Sequence, residues 1–238
     1  MSETTAANLG IFMGILKAVA EKNGAPIPLH LESLFANSQT QTPDNLEEAI
    51  QSSGQTLENN QCACLFANIV NLSIKDGRVN DRSFISDARD CLRLDRSDAR
   101  DVEEAIEARF QADSVFRSDE DWSAFCAGLI TMAESDNVTD AFEEVYLKKF
   151  VPDPSHIEAG RALFKDGDEI SVKLARFSGR QKRCLAAHGI SIMLIDGDWK
   201  GTEQEALEKL NDQMHLSRFD AEKMMKGIHG LYHVAVFA

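Results

Sequence analysis

Two stretches of this chain gather oxygen ligands at a spacing that suits a hard metal ion. One reads Asp196-Gly197-Asp198-Trp199-Lys200-Gly201-Thr202-Glu203, the other Asp76-Gly77-Arg78-Val79-Asn80-Asp81. Calcium and magnesium need several oxygen ligands at once. An aspartate at a turn and an acid on the first turn of the next helix converge on one point. Asp196, Asp198 and Glu203 form the better candidate group, and Asp76 with Asp81 the poorer. The competing reading is structural, because Asp-Gly is a common turn and a helix dipole favours acids at its start.

The spacing of Asp196, Trp199 and Glu203 resembles the second half of an EF-hand loop. The first half fails, since Ile192 and Leu194 stand where acidic ligands belong, as do Leu72 and Ile74 in the other stretch. An EF-hand is therefore rejected. Other candidates are thinner. His229 and His233 share a helix face but lack the glutamate of a metalloprotease motif. Cys62 and Cys64 have no second cysteine or histidine cluster near them in sequence. His188 sits in an apolar helix and reads as a core histidine. Neither a Gly-rich phosphate loop nor Gly-x-Ser-x-Gly occurs, so no catalytic constellation assembles and a non-enzymatic role is expected.

The elements around these acids repeat. Cys64, Leu65, Ala67, Asp76 and Gly77 recur as Cys184, Leu185, Ala187, Asp196 and Gly197, an offset of 120 residues. After a two-residue insertion the offset is 122, and Leu94, Arg96, Asp98, Ala99 and Ile106 recur as Leu216, Arg218, Asp220, Ala221 and Ile228. A repeat this long implies one structural unit used at least twice. Weaker copies place Asn23-Gly24 and Ser135-Asp136 at the same point. Hydrophobic periodicity is helical nearly throughout. It predicts helices near 6–22, 27–36, 43–53, 60–75, 81–93, 96–111, 119–134, 140–150, 155–164, 180–195, 203–214 and 218–233. Segment 166–180 alternates at Ile170, Val172 and Leu174 and reads as a short strand or irregular crossover. Thr202 and Glu205 fit a capping box. Gly77 and Gly197 suit the left-handed residue that ends a helix.

The Asp-Gly motifs resemble those of the TerB family, the tellurite-resistance-associated helical domains. The matching segments are LFANIVNLSIKDGRVNDRSF (65–84) and LAAHGISIMLIDGDWKGTEQEAL (185–207). The resemblance implies an all-helical, pseudo-two-fold fold, a metal site built from turn acids, and a role in stress responses without catalysis. Carried over by residue, it implies Asp196, Glu203 and Asp76 as ligands, with Asp81 aligned to Glu203. The chain departs from the pattern at Ser83, Ser135 and Asn23.

Composition narrows the partners. The 238 residues are 43% hydrophobic and carry a net charge of −14. Phosphate binding wants a basic surface, so nucleic acid and anionic lipid are not expected as partners. No apolar run approaches the roughly 20 residues that span a bilayer. Five cysteines without a CxxC pair suit reduced thiols in the cytoplasm. The sequence thus predicts an all-α helical bundle of repeated helix–Asp-Gly turn–helix units, arranged as two packed TerB-like halves, 1–115 and 116–238. The expected function is a non-enzymatic cytoplasmic stress-response or adaptor protein with a protein partner. Its expected cofactor is a divalent cation, calcium or magnesium. The alternatives are a pure interaction scaffold without metal and an enzyme with an unrecognised site.

Overall fold

The computed structural model describes residues 3–36, 40–134, 141–195 and 201–237. It is all-α. In chain order the helices are α1 (Glu3–Asn23), α2 (Leu29–Ala36), α3 (Leu46–Thr56), α4 (Asn59–Leu72), α5 (Arg82–Cys91), α6 (Arg96–Arg109) and α7 (Ala112–Val115). They continue with α8 (Asp119–Ala133), α9 (Ala141–Phe150), α10 (Pro154–Phe164), α11 (Gly167–Ala175), α12 (Gly179–Leu194), α13 (Gly201–Met214) and α14 (Arg218–Tyr232). A 3-10 helix, Val234–Phe237, follows α14. Between α4 and α5 stand two short antiparallel strands, β1 (Ile74–Lys75) and β2 (Arg78–Val79).

The chain divides into two compact units. The first holds Met1–Glu107 with Gly230–Ala238, the second Ala108–His229. In the first, α4 is buried around nearly its whole circumference, from Cys64 to Leu72. A helix that is apolar on all sides belongs in a core. α1 covers it with Phe12, Leu16 and Val19, all buried. Phe237 stacks 4.3 Å from Phe12, and Gln61 Nε2 donates to the Val236 carbonyl at 2.9 Å. In the second unit α8 and α12 take the central place, buried from Ala124 to Ile130 and from Cys184 to Leu194. Gly160 of α10 lies so close to α8 that a Cβ there would come within 2.6 Å of the Cys126 Cβ.

Several local expectations are corrected. Segment 166–180 contains a helix, because Asp166 caps it by accepting from the Glu169 amide at 3.1 Å. Ile170 and Leu174, four apart, are the buried pair, while Val172 is exposed. Thr202 lies inside the first turn of α13, which begins at Gly201. The Asp76-Gly77 turn does not end a helix. α4 stops at Leu72, and Asp76 (φ 51°) and Gly77 (φ 76°) form the two-residue loop of the β1–β2 hairpin. Positive φ at both positions matches the twist of the flanking strands, which is why Asp-Gly is favoured there. The Asn23-Gly24 turn does end its helix. Gly24 has φ 61°, and the Ala25 amide reaches back to the Ala20 carbonyl at 2.9 Å.

The turns after α5 and α13 match residue for residue. Arg93 (φ 56°) and His215 (φ 51°), 122 apart, are both left-handed. Leu94 N–H donates to the Arg89 carbonyl at 3.1 Å and Leu216 N–H to the Asn211 carbonyl at 2.9 Å. Asp95 then caps α6 through the Ser97 and Asp98 amides, and Ser217 caps α14 through the Asp220 amide.

Candidate cation sites at the acidic turns

Around the first acidic turn the hairpin is fixed from several sides. Val79 N–H donates to Glu107 Oε1 of α6 at 3.0 Å, and Asn80 N–H to the Ser73 carbonyl at 2.9 Å. Arg82 bridges to the same Glu107 at 2.9 Å and to Glu103 at 3.7 Å. Asp81 caps α5 by accepting from the Phe84 amide at 3.0 Å. Lys22, from α1, places its ammonium 3.6 Å from Asp81 and 3.8 Å from the centre of the Phe84 ring. The Phe84 amide first, and the Lys22 charge after it, hold the Asp81 carboxyl below the usual range. Asp76 is exposed at the hairpin tip. The cation that Asp81 meets in this structure is Lys22, and Asp76 is not brought against it by any hydrogen bond or ion pair among the described residues.

Around the second turn, Asp196 and Asp198 lie outside the described residues. Glu203 sits in the first turn of α13 at 6% exposure. It is far more buried than Asp81, 122 residues earlier in the sequence, whose side chain is 41% exposed. Among the described residues no group of three His, Cys, Asp or Glu side chains is placed to hold a metal. That covers His229, His233, Cys62 and Cys64. Cys62 and Cys64 are buried thiols, and burial pushes Cys64 up to about 12. They act as small apolar side chains.

His188 lies at the centre of a polar knot in the second unit. Its Nδ1 is 2.8 Å from the Tyr146 hydroxyl, and its ring meets Phe125 and Phe150 edge-on at 5.3 and 5.1 Å. Arg109 is 5% exposed, and its guanidinium lies 5.2 Å from both the Phe110 and the Phe150 ring centres. Arg109 Nε and Nη1 find no hydrogen-bond acceptor. Burial first, and the Arg109 charge second, push His188 down to about 3. The Arg109 carbonyl approaches the ring and opposes that shift, although Nε2 closes no hydrogen bond of ordinary geometry. The corresponding residue of the first unit, Asn68, is fully engaged. Its Nδ2 donates to the Cys64 and Leu231 carbonyls, each at 3.0 Å, and its Oδ1 is 3.0 Å from His30 Nε2.

The neutral core histidine has a consequence for stability. The unfolded chain protonates His188 below an ordinary pKa near 6.5, whereas the folded chain holds it neutral down to about 3. The unfolded state binds more protons across that window, so stability is full above pH 6.5 and declines as pH falls. Between pH 7 and pH 5 the second unit is expected to lose roughly 2 kcal/mol through this residue. His188→Asn, which installs the residue found at the corresponding position 68, removes that part of the loss. Denaturation followed by Trp122 fluorescence at both pH values, in wild type and variant, measures it. Equal losses in the two proteins would exclude His188 as the source.

One concave feature of the first unit was not legible in the sequence. α3 and α5 touch where Gly54 meets the Cys91 carbonyl. On the N-terminal side of that contact they border a groove of about 470 Å³. Ile50, Phe84 and Ala88 form its floor, and the exposed Glu47, Glu48 and Asp87 its rim. Among the described residues no ion pair engages those three carboxylates. Its walls come from helices far apart in sequence, so neither helix's spacing reports it. Set against known protein families, curated proteins and solved structures, the chain matches none of them.

Proposed function

We propose that this chain is a non-enzymatic, cytoplasmic adaptor or stress-response protein of TerB-like build that holds calcium or magnesium at its second acidic turn. Asp196, Asp198 and Glu203 are the ligands, and the first turn takes no metal. The observation that carries the reading is the contrast at matching positions. Asp81 is half-exposed, whereas Glu203 is buried at the start of α13. A carboxylate withdrawn from water is held by the positive charge or donors it meets. Glu203 already has a partner within the chain, and a bound cation would add a second and tie the turn to α13. The free state of all five thiols and the absence, among the described residues, of a helix long and apolar enough to cross a membrane accord with this setting. The α3–α5 groove favours a second reading, a protein-interaction scaffold without metal.

The test is thermal unfolding of chelator-treated protein with and without millimolar calcium or magnesium. A ligand that binds only the native state at a hundredfold excess over its Kd stabilises by about 2.7 kcal/mol. The midpoint is expected to rise by several degrees, to lose that rise in Asp196→Asn, and to keep it in Asp76→Asn. No rise with either ion, or an equal rise in Asp196→Asn, would overturn the cation site.

A further inference from the structure

The α3–α5 groove carries an inference that goes beyond the cation reading and uses none of its residues. We infer that this groove docks a basic amphipathic segment of a partner protein, with a lysine stem laid along Ile50 and Phe84 and its ammonium among Glu47, Glu48 and Asp87. The first argument is charge. Three exposed carboxylates face one concave surface, and among the described residues no cation pairs with them. Arg89, on the same helix, is engaged by Asp90 at 2.7 Å, and Lys22 by Asp81 at 3.6 Å. The second argument is the floor. Phe84 already carries one ammonium of this chain, that of Lys22, 3.8 Å from its ring centre. A ring that carries one lysine in this way is a surface on which the methylene stem of another can lie while its charged end reaches water and acids.

The occupant is a peptide segment rather than a free polyamine because the site is amphipathic. Buried apolar side chains of two helices form its base and acids only its edge. A volume of about 470 Å³ leaves room beside a lysine stem for an apolar neighbour from the same segment. A segment with lysines and leucines spaced along one helix face presents both at once. Nucleic acid is disfavoured by the same carboxylates.

Cys91 lies at the closed end of the groove and is the one cysteine of the five that is not buried. It therefore reports occupancy in the unaltered protein. The probe is a fluorescein-labelled 14-residue amphipathic Leu/Lys helix, followed by anisotropy at physiological salt in EDTA, so that cation binding plays no part. The comparison is between Glu47→Gln/Glu48→Gln/Asp87→Asn and the charge-matched Asp168→Asn/Glu205→Gln/Asp212→Asn. All six carboxylates are exposed, so the folds are expected to survive. The groove variant is expected to bind at least tenfold more weakly than wild type, and the control variant within twofold of it. Bound peptide is also expected to slow iodoacetamide alkylation of Cys91 in the wild-type chain at least fivefold. Equal weakening in both variants would reduce the effect to bulk attraction by an acidic chain and overturn the proposal. Absence of binding, unprotected Cys91, or displacement of the peptide by spermine at comparable concentration would overturn it as well.

Discussion

Phe125→Ala is expected to destabilise the second unit by about 3–5 kcal/mol, the range for deleting a buried aromatic ring. The ring is fully buried and is surrounded by other rings. Phe116 lies 4.5 Å away, Trp122 5.5 Å and edge-on, and His188 5.3 Å and edge-on. Edge-on pairs add roughly 0.5–1.5 kcal/mol beyond the area they bury. The truncation therefore removes transfer energy, leaves a cavity in a close-packed interior and deletes one of the rings packed against His188. Trp122 touches the same cluster, so its fluorescence during denaturant unfolding reports the loss directly. Phe125→Leu keeps most of the volume and should cost less, about 1–2 kcal/mol. Phe219→Ala, at a ring 68% exposed, should change little, about 0.5 kcal/mol. A cost below about 1.5 kcal/mol for Phe125→Ala would mean that this ring does not organise the core.

Gly54→Ala is the second large effect, and it acts on the first unit. A Cβ at position 54 would stand 1.9 Å from the Cys91 carbonyl oxygen and 2.8 Å from its carbon. Both atoms are backbone, so no rotamer change relieves the clash, and α3 must move off α5. Overpacking of this kind costs roughly 2–3 kcal/mol, which outweighs the roughly 1 kcal/mol by which alanine is the better helix former. Gly10→Ala is the internal contrast. It lies within α1, and a Cβ there meets nothing within 4 Å. It should stabilise by about 0.5–1 kcal/mol. Trp122 falls in the second unit, so hydrogen exchange of the α3 and α5 amides is the suitable measurement. Faster exchange in Gly54→Ala with unchanged α8 and α12 is expected. Unchanged exchange in α3 and α5 would contradict the close contact. The same variant should also alter the groove, since the Gly54 contact sets how close its two walls lie.

Much of the helical layout is visible in the sequence because it rests on local physics. Apolar residues three and four apart mark α1, α4, α8 and α12. Acids and hydroxyls such as Asp95 and Ser217 mark helix starts through short-range hydrogen bonds to the next amides. Where two local signals compete, reading by pattern goes astray. In 166–180 the alternation of Ile170, Val172 and Leu174 imitates a strand, while the Asp166 cap and the four-residue step from Ile170 to Leu174 decide for a helix. Ile74-Lys75-Asp76-Gly77-Arg78-Val79 carries a hairpin signal, alternating residues about Asp-Gly. Strands of two residues are too short for their period to stand out against the long helix before them.

The site is legible only as a list of acids. The sequence by itself determined that the chain is helical and acidic, since these follow from residue type and from spacing within a few turns. It also places an acid a few residues after each Asp-Gly pair, Asp81 after the first and Glu203 after the second. Tertiary structure alone decided that Asp81 meets Lys22 from α1 while Glu203 is buried, because the charge facing a carboxylate comes from elements remote in sequence. It alone set Gly54 against Cys91 and so placed Glu47 and Glu48 across a groove from Asp87. The reason is the same in both cases. Helix periodicity says which face is buried, but the partner of that face is chosen by packing, and packing is decided by shape between residues the local pattern never compares.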